Sequence, residues 1–161
     1  MLIRVLSIVL ILLTMGAPLP VFASDRSEEF ARMAATAWAA FQCSTLVDKE
    51  EKPGERQELF DFGYQQGKQF LNAFFGGNID EEHVYRHVPI NVLDRIEPYV
   101  NPNLPTSEFM LGAIWESASR SVLEAMWESE ASPKLFAMSE FSSRNCRSLL
   151  AMAKASWNNN D

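Results

Sequence analysis

Between Leu111 and Met126, apolar side chains recur three and four residues apart, at Leu111, Ile114, Trp115, Ala118, Val122, Ala125 and Met126. That spacing lines one face of a 3.6-residue helix and cannot line one face of a strand, whose side-chain period is two. Strand-like alternation is missing elsewhere in the chain, and turn dipeptides do not recur at short intervals. The chain is therefore expected to be all-α, a small bundle of four main helices plus short ones, with its core made by helix packing.

The first helix is expected from Arg26 to Val47, with Asp25 as N-cap, Glu28 three residues on in a capping-box spacing, and Phe30, Ala34, Ala37, Trp38 and Phe41 on one face. The charged stretch from Lys49 to Gly54 ends it. A second helix, Glu55 to Phe75, stops at Gly76 and Gly77. Asp80 can cap a short helix through His87, and Pro89 fits the first turn of another that ends near Pro98. Pro98 to Pro105 reads as a loop, and Thr106 or Ser107 caps the stripe helix. After a break at Ser132 and Pro133, the residues Leu135, Met138, Cys146, Leu149 and Ala153 read as one final helix toward Trp157, followed by a polar tail over 158–161.

Residues 1–23 have the layout of a secretory signal peptide: Arg4, the apolar run Val5 to Leu13, the breakers Gly16, Pro18 and Pro20, and small or modest side chains at Val21 to Ala23. Cleavage is expected after Ala23, leaving one helical domain over 24–157 in a periplasmic or secreted protein. The run is too short to span a bilayer, and no later segment of the mature chain is apolar for long enough. Cleavage removes one base and no acid from 14 basic and 21 acidic residues, which leaves a net charge of about −8. Such a surface repels phosphate backbones, so nucleic acid is excluded as a partner, while a basic protein surface is attracted. Cys43 and Cys146 are the two cysteines, and in an oxidising compartment they are expected to bond to each other, tying the first helix to the last.

Gly63 and Gly67 lie inside the second helix, where each costs about 1 kcal/mol relative to Ala. Four residues apart, they share a face with no Cβ, open to close approach by another helix or by a ligand. Gly63, Tyr64 and Gly67 thus mark a helix crossing or a binding site. The order Phe41-Gln42-Cys43, then Phe60-x-x-Gly63-Tyr64-x-x-Gly67, then further amphipathic helices resembles the Rap/Tai-type amidase immunity proteins of type VI secretion. The resemblance covers about a third of the chain. It implies a small helical periplasmic protein that binds and blocks a peptidoglycan-hydrolysing toxin. That family tends to carry a cysteine where this chain has Asp61, so neither its disulfide arrangement nor any binding residue is carried over.

His83 and His87, four apart, face the same side of a helix and make a candidate metal pair, although no third His or Cys is spaced to complete a tetrahedral site. No GxSxG, SxxK or HExxH pattern is present, and no cofactor motif is found. Binding of another envelope protein is therefore favoured over catalysis. The alternative is a metal-binding or hydrolytic envelope protein built on His83 and His87.

Overall fold

The computed structural model describes residues 21–48, 51–96 and 106–158, the first five and Asn158 by their backbone alone. Among these residues there are seven helices and no strand: α1 (Val21–Leu46), α2 (Pro53–Phe75), α3 (Glu81–His87), α4 (Ile90–Ile96), α5 (Ser107–Glu128), α6 (Pro133–Ser143) and α7 (Cys146–Asn158). No described helix is long and apolar enough to cross a membrane. Of the leader read from the sequence, only the backbone of 21–23 is described; the Pro98 to Pro105 loop lies outside the described residues.

Local chemistry explains most boundaries. Pro53 occupies the first turn of α2, where its missing N–H costs nothing, so the helix starts two residues before Glu55. At the other end Gly77 adopts φ 67°, the left-handed conformation that favours glycine, and Asn78 N–H closes onto Ala73 O at 2.8 Å. Thr106 caps α5, its hydroxyl accepting from Phe109 N–H at 3.4 Å. Asp80 stands at the N-cap of α3, but there its carbonyl rather than its carboxylate receives the His83 N–H. Pro89 sits just outside α4, its carbonyl accepting the Val92 and Leu93 N–H groups at 2.9 and 3.1 Å.

Two expectations need correction. α1 begins at Val21, so Asp25 lies within the helix and is not its N-cap. Glu28 accordingly does not fold back in a capping box; its Oε1 accepts from Arg32 Nε at 2.9 Å, one turn on. The expected single final helix is two helices. Asn145 takes φ 55°, a conformation Asn tolerates because its amide bonds locally, and Ser148 Oγ donates to Asn145 Oδ1 at 2.8 Å. α7 then runs through Asn158, one residue into the expected tail.

The bundle forms around α1, which packs most extensively on α2 and next on α5. The short 47–52 connection returns α2 antiparallel to α1, so Leu59 lies in one cluster with Leu46 and Cys43, while Phe70 lies in another with Ala34 and Ala37. Small residues on α1 allow this closeness: Ala31, Ala34, Ala37 and Ala40 are all buried. Phe41, Phe70, Leu71, Leu111 and Ile114 fill the centre with α4 residues Val92 and Ile96. Each such large side chain contributes about 1.5 to 3 kcal/mol by leaving water. A second cluster at the other end gathers Cys43, Leu46, Val47, Leu59, Val122 and Cys146. Cys43 and Cys146 are bonded, with a sequence separation of 103 and a Cα–Cα distance of 5.5 Å.

Candidate functional site

Ser27 and Glu28, in the first turns of α1, meet the two histidines of α3. Ser27 Oγ accepts the Asp80 N–H at 2.8 Å and also lies 2.8 Å from His83 Nδ1. His87 Nε2 approaches Glu28 Oε1 at 3.3 Å, and the imidazole centroids are 6.1 Å apart. Both rings are mostly buried, at 12% and 14% side-chain exposure, so their partners matter more than their pairing. Helical spacing does bring His83 and His87 to one side, but that side is the α1–α3 seam. No group of three His, Cys, Asp or Glu side chains able to hold a metal ion is found among the described residues.

Ser27, His83 and Asp80 have the composition of a hydrolytic triad without its geometry. Ser27 Oγ and Asp80 Oδ2, the latter at 3.9 Å, both address Nδ1 of His83. A base that activates a nucleophile needs the nucleophile on one ring nitrogen and the orienting carboxylate on the other. Ser27 is also only 3% exposed and already holds the Asp80 N–H. The constellation is a structural clasp between α1 and α3. Ser27→Ala should leave the Asp80 N–H without its partner and lower stability by about 1 kcal/mol in a urea melt.

Glu28 adds a small pH dependence to the clasp. The Arg32 guanidinium bonded to it holds its carboxyl below the ordinary carboxylate range, with lesser help from His87 and His83. A depressed carboxyl stabilises the fold above its unfolded pKa of about 4.3 and loses that contribution as pH falls through the folded value. The group is exposed enough that solvent screens most of the effect.

Gly63 and Gly67 are buried in the crossing. A Cβ on Gly63 would stand 2.9 Å from Phe41 Cδ1 and 3.2 Å from the Ala37 carbonyl oxygen, while one on Gly67 would overlap Leu111 Cδ2. α1 covers the first and α5 with α1 the second, leaving no face for a ligand. Tyr64 beside them is partly buried against the central cluster.

Open surface chemistry lies at the disulfide end. The end of α1, the start of α2, the end of α5, α6 and the first turn of α7 enclose an open groove of about 700 Å³. Its floor is apolar, with Leu46, Val47, Met126, Ala137 and Phe141, and charged side chains including Lys52, Glu55 and Arg147 stand around it. Lys134 reaches Glu51 at 2.9 Å across one edge, and that carboxylate raises the lysine above its ordinary pKa. Met138, in the groove wall, is 63% exposed, and Leu135 one turn away is 60% exposed. Trp127, which follows the groove residue Met126, is 77% exposed.

The sequence reads Leu135 and Met138 with Cys146, Leu149 and Ala153 as the apolar series of one final helix, whereas both stand outside. The turn at Asn145 explains the difference, because α6 and α7 have independent phases. Phe136, Ala137 and Phe141 make the inward side of α6, whereas Cys146, Leu149 and Ala153 make that of α7. The signal available in the sequence was Ser143-Arg144-Asn145, three polar residues with a known tolerance for the left-handed turn at the last. No protein-family model, curated protein or solved structure matches the chain.

Proposed function

We propose that this chain is a non-catalytic protein-binding module of the periplasm or extracellular space, exported by the leader over 1–23. The observation that carries this reading is the set of large apolar side chains left outside on the α5–α6 region, Trp127, Leu135 and Met138, beside an apolar-floored groove. Folding gains little from such side chains in water, whereas rigid aromatic and flexible Met contacts are what protein interfaces enrich. The disulfide and the central helix crossing supply a rigid support. The Rap/Tai-type resemblance around Phe60 to Gly67 refines the proposal to an inhibitor or immunity-type role, with a basic envelope protein as target.

An affinity capture from an extract of the producing cell's envelope tests the reading. One protein should be retained at low ionic strength and its association rate should fall as salt rises, since the net charge of about −8 steers a basic partner over roughly a Debye length. Recovery of no partner would overturn it, and turnover of a cell-wall or ester substrate that is lost in His83→Ala or His87→Ala would put the hydrolytic alternative in its place.

A further inference from the structure

Within the protein-binding reading, on which this step rests, we propose that the outward face of the last two turns of α5 docks a lysine- or arginine-bearing segment of the partner, with Trp127 as its anchor. Leu123 and Trp127 are one helical turn apart and 37% and 77% exposed. Glu124 and Glu128, equally one turn apart, are exposed beside them, and Glu130 follows in the connection to α6. Residues 121–133 hold those three acids and no base. The nearest cation on the helix, Arg120, is bonded to Glu116 a turn earlier and also attracts Glu124 a turn later.

Most of this arrangement is locally unfavourable, Glu124 being the one acid partly offset, by Arg120. Carboxylates near a helix C-terminus oppose the negative end of the macrodipole, and the last turn of α5 contains no basic residue to offset them. Like charges at i and i+4 repel. A Trp ring in water contributes almost no burial. A cationic side chain laid over the Trp127 face reverses all three conditions together: it gains cation–π attraction, neutralises Glu124 and Glu128, and completes the helix end. Anionic lipid and nucleic acid would be repelled by the same three carboxylates, so the occupant is a basic polypeptide segment. Tyr85, though 76% exposed, has mixed charge around it, with Arg86 bonded to Glu82, and lacks this bias.

The test replaces Trp127 with the photo-crosslinker p-benzoylphenylalanine in the full chain, with the same substitution at Tyr85 as control, and identifies adducts by mass spectrometry. Adducts from position 127 on a segment carrying Lys or Arg are expected, with few or none from position 85. Trp127→Ala should keep the wild-type melting temperature, because the ring is mostly exposed, and should weaken capture of the same partner at least tenfold. Glu124→Lys with Glu128→Lys should weaken it as much and reduce its salt dependence. Unchanged capture by these variants, adducts mainly from position 85, or adducts to an acidic segment or to a second copy of this chain would overturn the docking proposal while leaving the binding reading standing. Absence of any partner in the wild-type capture would overturn both.

Discussion

Replacing both cysteines, as Cys43→Ala with Cys146→Ala, is expected to lower the free energy of unfolding by about 4 to 5 kcal/mol. The bond joins residues 103 apart in sequence, so it restrains most of the chain when the protein is unfolded. In the chain-entropy model the stabilisation grows with the logarithm of the closed loop, and a loop of about 100 residues lies near the top of the usual range. Set against total stabilities of about 5 to 15 kcal/mol for single domains, the loss is large. Alanine is the right replacement because both cysteines are fully buried, and a serine hydroxyl there would add an unrelated desolvation cost. Urea titration should show a lower midpoint and a steeper slope, since the unlinked denatured chain exposes more surface. A midpoint equal to wild type would refute the assignment of the bond as the main clamp. The side-chain bridge beside it survives in the variant: Arg144 Nη1 donates to Gln42 Oε1 at 2.7 Å, and Gln42 Nε2 to Ser121 Oγ at 2.9 Å. That bridge should preserve the native arrangement of α1, α5 and the α6–α7 turn at low temperature.

How far the sequence specified this molecule depended on the kind of signal. The helical period of Leu111 to Met126 and the stop at Gly76-Gly77 are local, and α5 and the end of α2 formed where they pointed. Cys43 and Cys146 were paired by compartment and count, with no distance information, and they bond. The α6–α7 break was harder to read because apolar residues on both sides of it satisfied one helical pattern over 133–157. The left-handed turn at Asn145 uncouples α6 from α7, and with Phe136, Ala137 and Phe141 packed inward, Leu135 and Met138 face outward. His83 and His87 show the opposite limit. Their spacing correctly put both rings on one side of α3, but Ser27 and Glu28, more than fifty residues earlier, determine that this side is a packed seam. Tertiary partners of that separation leave no periodic mark in the chain. The surface around Trp127 was legible only in part: the ring and its acids are visible in sequence, but exposure is a property of what fails to pack on them.

Gly67→Leu is expected to destabilise the protein by about 3 kcal/mol, the upper end of the overpacking range. Two terms oppose each other at this position. Leu, a good helix former, gains nearly 1 kcal/mol of helix propensity over glycine. Against that, the first added carbon already overlaps Leu111 Cδ2, and Ala37 Cβ lies 3.5 Å away on the α1 side. Leu111 is 2% exposed and packed among Phe41, Phe70 and Ile114, so it has no open rotamer into which it can retreat. Three further carbons then have to be placed where two helices already touch. At Gly63 the conflict is stiffer for smaller changes, because the Ala37 carbonyl is backbone and the Phe41 ring is fully buried; Gly63→Ala should therefore destabilise in spite of its propensity gain. Gly112 in α5 supplies the internal control. It is exposed and an added Cβ meets nothing within 4 Å, so Gly112→Ala should stabilise by about 1 kcal/mol through propensity alone. Thermal and urea melts of the three variants should order Gly112→Ala above wild type, Gly63→Ala below it and Gly67→Leu lowest. A Gly67→Leu protein that melts like wild type would mean that α5 does not close over α2 at this point, and the surface at Gly67 would then be open to a ligand, while Gly63 stays covered by α1.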